Sequence, residues 1–148
     1  MSGERFIAVQ FCDDIRQEVG NKFSMMGCYG PEMFVPDFPV VLTKLCAYVR
    51  VFTPIDRPFS KLVIRILNGE RVFAELPFPP DALVTAESHP IKTEAKWRLH
   101  AAHLVLSPLH IDEPSRLKTE AETEDGTVSG GSFWIDRVPS SPQQETAP

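Results

Sequence analysis

The sequence lacks most of what marks a metalloprotein, a secreted scaffold or a membrane protein. Cysteine is scarce: Cys12, Cys28 and Cys46 are the only three in 148 residues. They form no CxxC pair and are odd in number, so neither a disulfide framework nor a zinc ribbon is supported, and reduced thiols are expected. No apolar run approaches the roughly 18–20 residues that cross a bilayer, and residues 1–5 carry no secretory pattern. A cytoplasmic protein without membrane contact is therefore expected. Basic clusters are missing too. The 15 Lys and Arg are outnumbered by 20 Asp and Glu, for a net charge of -5, and they stand singly among acids, as in Arg65, Glu70, Arg71 and Glu75. Phosphate binding concentrates positive charge on one face, so nucleic acid is not expected as a partner.

Catalytic motifs are absent as well. There is no GxSxG elbow, no HExxH, no Walker loop and no GxGxxG. Residues 126–131 (GTVSGG) are glycine-rich, but neither a lysine nor a following helix supports a phosphate cradle. Adjacent glycines inside a strand instead predict a bulge or a close backbone approach. Glycines number only 8 against 14 prolines. Prolines that frequent leave little room for long helices, because each lacks an N–H and clashes with the preceding turn.

What is present is β patterning. Residues 5–12 place Ile7, Val9 and Phe11 on one face, with Phe6, Ala8, Gln10 and Cys12 on the other. A polar segment from Asp13 to Lys22 follows, expected as loop or a single helical turn around the Gly20–Asn21 turn signal. Residues 22–29 and 33–35 read as short strands. In 42–53, Leu45, Ala47, Val49 and Val51 alternate with Lys44, Cys46, Tyr48 and Arg50. Asn68–Gly69 predicts a tight hairpin between 61–67 and 71–76. Residues 81–95 are a short strand or one helical turn, then a polar loop. Residues 96–106 fit either a helix by propensity or a strand with Trp97, Leu99, Ala101, His103 and Val105 on one face, and the context favours the strand. In 115–124, Leu117, Thr119, Ala121 and Thr123 alternate with charged residues, and Asp125–Gly126 marks a second hairpin.

Short strands with turn signals every 8–12 residues predict an all-β antiparallel sandwich, immunoglobulin-like or C2-like, with a small β-barrel as the alternative. Residues 1–138 form one β-rich domain, and the Ser/Pro/Gln-rich residues 139–148 form a tail that cannot bury apolar surface.

Two candidate sites follow. Cys12, Asp13 and Asp14 bring a thiol beside two carboxylates, the donor types of a metal site or an activated nucleophile. A continuous strand would send Asp13 and Asp14 to opposite faces, leaving them to cap a turn. Among His89, His100, His103 and His110, the middle pair share a face in a helix and lie on opposite faces in a strand. The second site is a set of apolar residues between prolines: Met33, Phe34, Phe38, Ile55, Phe59 and Phe78. These either close the ends of the core or form a partner surface.

The segments FIAVQFCDDIRQEVGNKFSMMGCYG and RVFTPIDRPFSKLVIRI resemble a family of small, uncharacterised bacterial and phage-associated proteins, a domain of unknown function. The resemblance covers residues 5–137. It implies a compact β-rich domain of bacterial or phage origin and assigns no activity. The expected function is a non-enzymatic protein-binding or assembly module, using edge strands or apolar loops for a protein partner or self-association, with no cofactor. The alternatives are a small metal-dependent or hydrolytic enzyme using Cys12, Asp13, Asp14 and a histidine, or a small-molecule sensor with a closed apolar cavity.

Overall fold

Alternation of apolar and polar residues governs the chain, and it produces eleven strands and a single short helix in the computed structural model, which describes residues 4–84 and 95–139. In chain order the strands are β1 (Phe6–Glu18), β2 (Lys22–Cys28), β3 (Glu32–Val35), β4 (Val40–Leu42), β5 (Leu45–Pro54), β6 (Leu62–Asn68) and β7 (Arg71–Pro77). The helix α1 (Pro80–Val84) precedes β8 (Trp97–Leu106), β9 (Leu109–Ile111), β10 (Ser115–Thr123) and β11 (Gly126–Arg137). The two main sheets run β2-β1-β5-β8 and β3-β11-β10-β6-β7, and β4 pairs with β9 in a small third sheet. All pairings are antiparallel except β3 with β11. The sheets are not closed on themselves, so the architecture is a sandwich rather than a barrel.

The core lies between the sheets. From the four-stranded sheet come Phe11, Ala47, Val49, Val51, Ala102 and Leu104; Ile64, Ile66, Leu117, Ala121, Phe133 and Ile135 face them. Phe11 stacks on Phe133 with ring centroids 4.3 Å apart. β10 alternates strictly, with Ser115, Leu117, Thr119, Ala121 and Thr123 buried between more exposed charged residues, as the sequence predicts. The paired glycines also behave as predicted. The β10–β11 register shifts between Lys118 and Glu120, leaving the extra residue on β11 at Gly130–Gly131. A Cβ on Gly130 would stand 3.2 Å from Ile7 Cγ2 and 3.2 Å from the Thr119 carbonyl, so the bulge also lets β1 pack close.

Two expectations need correction, and the favoured strand reading of residues 96–106 is borne out. β1 does not stop at Cys12 but continues to Glu18, because β2 supplies a partner for each polar residue from Asp14 to Glu18. Ladder pairing outweighs the poor strand propensity of aspartate. The β6–β7 turn is Gly69–Glu70, with φ +62° at Gly69 and Asn68 paired to Arg71, one residue later than Asn68–Gly69. Residues 97–106 are strand, paired along their whole length with β5, which settles the helix alternative against. The expected tail beyond Pro139, His89 and most of the 81–95 segment lie outside the described residues.

A buried arginine ties the start of β1 to both sheets. The Arg5 side chain is 2% exposed and forms a two-pronged pair with Glu124, at 2.7 and 3.0 Å. Its Nε donates to Thr53 Oγ1 at 2.9 Å, and its guanidinium lies over the Phe59 ring. Burial on that scale is tolerated because nearly every donor finds an acceptor.

Candidate interaction surface

The thiol–carboxylate cluster of the sequence does not converge. β1 runs straight through it, so neighbouring side chains leave opposite faces. The Asp13 carboxylate accepts a short hydrogen bond from the Tyr29 hydroxyl and lies over Gly27, whose φ of +65° and missing Cβ make the room. Asp14 instead accepts from Lys44 Nζ at 2.8 Å. That bond and charge hold the Asp14 carboxyl below its usual range and raise Lys44. Burial, reinforced by the Asp13 bond, pushes the Tyr29 hydroxyl up to about 12. Cys12 is fully buried, its thiol donating to the Asp14 carbonyl. Burial first, then the neighbouring Cys46 and Cys28 thiols, push it up to about 11, the opposite of nucleophile activation. Among the described residues no group of His, Cys, Asp and Glu is placed to hold a metal ion.

His100 and His103 sit on opposite faces of β8, as a strand requires. His100 is buried beside Phe59 and Phe78, and burial lowers its pKa. His103 is exposed on the other face.

The apolar residues between prolines are not gathered into one surface either. Met33 and Phe59 are core residues, and Phe38 and Phe78 pack against that core. Ile55 is half-buried, and only Phe34 stands largely exposed. Most of the set therefore closes the ends of the sandwich.

A different surface emerges on the outer face of the four-stranded sheet. Registers across β1, β5 and β8 align Phe6 with Phe52 and Leu99, Ala8 with Arg50 and Ala101, Gln10 with Tyr48 and His103, and Cys12 with Cys46 and Val105. All these side chains point away from the core. At one end Phe6 stacks on Phe52 at 4.4 Å and meets Trp97 edge-on at 5.2 Å, yet Phe6, Trp97 and Leu99 remain 43%, 40% and 47% exposed. At the other end the β1–β2 hairpin folds back: Phe23 lies 4.7 Å from the Tyr48 ring and 4.4 Å from His103. Ile15 and Met25 share the Phe23 face by register and are likewise half-buried.

The bare end adjoins β8, the last strand of this sheet among the described residues. Sheet edges template pairing unless charge, proline, bulges or shortness blunt them. β7 carries Arg71, Glu75 and Pro77 and a register shift opposite Ile66/Leu67. β3 has four residues, and β2 is distorted at Gly27. β8 is less protected among the described residues: ten residues, WRLHAAHLVL, with Arg98 as its one acidic or Lys/Arg side chain and an unbroken register to β5. Beside its middle runs an apolar groove of about 240 Å³ between Ala101–His103 and Leu76–Pro79.

The sequence pairs Trp97, Leu99, Ala101 and Val105 on one face, but nothing in it shows that this face is outward. No family model, characterised protein or solved structure matches this chain. No helix among the described residues is long and apolar enough to cross a membrane.

Proposed function

We propose that this chain is a non-catalytic protein-binding and assembly module that docks through the bare end of the outer sheet face and the adjoining β8 edge. One observation carries the reading: a stacked aromatic cluster stands exposed beside a ten-residue strand that pairs, among the described residues, with β5 alone. Apolar surface of this kind, contiguous and rimmed by polar residues, marks interaction sites. An added strand gains main-chain hydrogen bonds from the edge and side-chain selectivity from the face. The buried thiol and separated carboxylates of Cys12, Asp13 and Asp14 give no competing chemistry.

A photo-crosslinking amino acid in place of Leu99, with Lys118 on the other sheet as control, tests the reading in living cells. A single discrete adduct from position 99, absent from 118 and suppressed by Trp97→Ser, is expected. Equal labelling at both positions, or none at 99, overturns it.

A further inference from the structure

We infer that the protein segment docked on the outer face of the four-stranded sheet brings an acidic side chain, whose carboxylate pairs with the Arg50 guanidinium. The inference rests on reading that face as a docking surface, and it names the chemistry of the partner. The molecule contains its own comparison, because Arg65 and Arg50 both stand mid-strand on the outer face of an inner strand. On β6, Arg65 lies opposite Glu75 on one side and Glu120 on the other, and it pairs with Glu75 at 2.7 Å and Glu122 at 3.0 Å. On β5, Arg50 lies opposite Ala8 and Ala101. Opposite charges across neighbouring strands are the ordinary way a sheet satisfies such a residue. Here alanine takes both places.

Arg50 is left with an aromatic ring. Its guanidinium lies 5.2 Å from the Tyr48 centroid, and its Nε is closed off from solvent without a hydrogen-bond partner. No acid stands at an outward position of β1 between Phe6 and Cys12, of β5 or of β8, although acids outnumber bases 20 to 15 in the chain. A half-buried cation held against a ring has already lost part of its hydration, so an incoming carboxylate gains more from it than from a fully solvated arginine. The neighbouring position on the same face of β5 is Phe52, stacked on Phe6. An extended segment with an acidic and an apolar residue two positions apart sends both to one side, about 7 Å apart, which matches the step from Arg50 to Phe52. A lone guanidinium with no lysine beside it suits a carboxylate, whereas a phosphate group is typically met by a cluster of arginines.

Dye-labelled short peptides test this by fluorescence anisotropy. Each alternates threonine with phenylalanine, a central residue and a second phenylalanine, and the central residue is glutamate, glutamine or phosphoserine. Titrated to about 1 mM, the wild-type chain should bind the glutamate peptide roughly tenfold more tightly than the glutamine peptide. Arg50→Gln should bring the glutamate peptide down to the level of the glutamine peptide and leave the latter unchanged. Ala8→Glu keeps Arg50 but sets a carboxylate opposite it, and it should remove the same preference; circular dichroism checks that each variant is folded. Equal binding of the glutamate and glutamine peptides overturns the inference, as does a preference that survives both substitutions. Tighter binding of the phosphoserine peptide overturns it in favour of a phosphorylated segment. If no peptide binds, or none is preferred, while position 99 still gives one discrete adduct, the docking reading stands and the acidic partner falls. If position 99 yields no adduct and no peptide binds, both fall.

Discussion

At one end of the outer face of the four-stranded sheet, Phe23 lies against Tyr48 and His103; at the other, Phe6, Phe52, Trp97 and Leu99 form a comparable apolar cluster that stays open to solvent. The same three strands carry both ends, so neither strand propensity nor sheet geometry explains the contrast. The difference lies in β1. Its first seven residues pair with β5 and its last seven with β2, sharing only Cys12. Where β1 leaves β5 it carries the hairpin across the face, and the chain covers half of its own apolar surface. Sheets with one wet face normally place polar residues there. The other half stays apolar and exposed among the described residues, and it is the surface the proposed docking would use.

The contrast depends first on the anchor beneath the bare end. Arg5 fixes the start of β1 next to Phe6, so removing it should loosen the cluster and the sandwich together. Arg5→Ala takes the guanidinium from Glu124 and Thr53, and breaking a buried ion pair from one side typically costs about 3–5 kcal/mol. Glu124 is partly solvated, with 26% of its side chain exposed, so the lower end of that range is expected from urea denaturation. Acid should act on the same contact. Burial works against ionisation of Glu124, but the bonds from Arg5 and the Ser60 N–H outweigh it and hold its pKa below the usual 4.5. Its contribution is therefore present above that value and is lost as pH falls through the folded pKa.

Removing the cover tests the other half. Phe→Ala in a full core costs about 3–5 kcal/mol; for the half-buried ring of Phe23, Phe23→Ala should cost about 2 kcal/mol. A second readout locates the damage. Cys28 is exposed whereas Cys12 and Cys46 are buried beneath the hairpin, and burial raises the pKa of both. A thiol reagent near pH 8 should label one cysteine quickly in the wild-type chain and three after unfolding, and Phe23→Ala should quicken the two slow ones. Because the Cys12 thiol is raised from 9.0 to about 11, its stabilising contribution is complete below pH 9 and is lost as pH rises towards 11. Uniform fast labelling of all three thiols in the wild type would erase the distinction between the two halves.

How much of this was legible in the sequence follows from how local each signal is. The alternation of Leu117, Thr119, Ala121 and Thr123 and the bulge at Gly130–Gly131 depend on neighbours in the chain, and both were readable. The extension of β1 through Asp13–Glu18 was not, because its support comes from β2 and from contacts of Phe23 with β5 and β8. The apolar residues Met33 and Phe59 stayed open between core cap and partner surface for the complementary reason: nothing local tells a loop residue that closes the core from one that faces outward. β8 lies between these cases. Its period of two was visible, but both of its faces are apolar, with His100, Ala102, Leu104 and Leu106 facing in. Only the packing of β5 against the second sheet decides which face is left bare.

The smallest expected effect is the most discriminating. Leu99 is as apolar as any core leucine and sits on a strand paired along its whole length with β5, yet almost half of it is exposed. Burial of apolar area stabilises by roughly 25 cal/mol per Å², and a side chain that stays wet in the folded chain gains little of it. Leu99→Ser should thus shift the stability of the single chain by no more than about 0.5 kcal/mol, the range of ordinary surface substitutions. Urea unfolding at low protein concentration measures that term. The same substitution should weaken peptide binding to the face, because the serine removes apolar contact there. A loss near 2 kcal/mol would mean that Leu99 stabilises the fold as Phe23 does, and the two halves of the face would no longer differ. A small loss together with weakened peptide binding would show that the bare half contributes to docking rather than to folding.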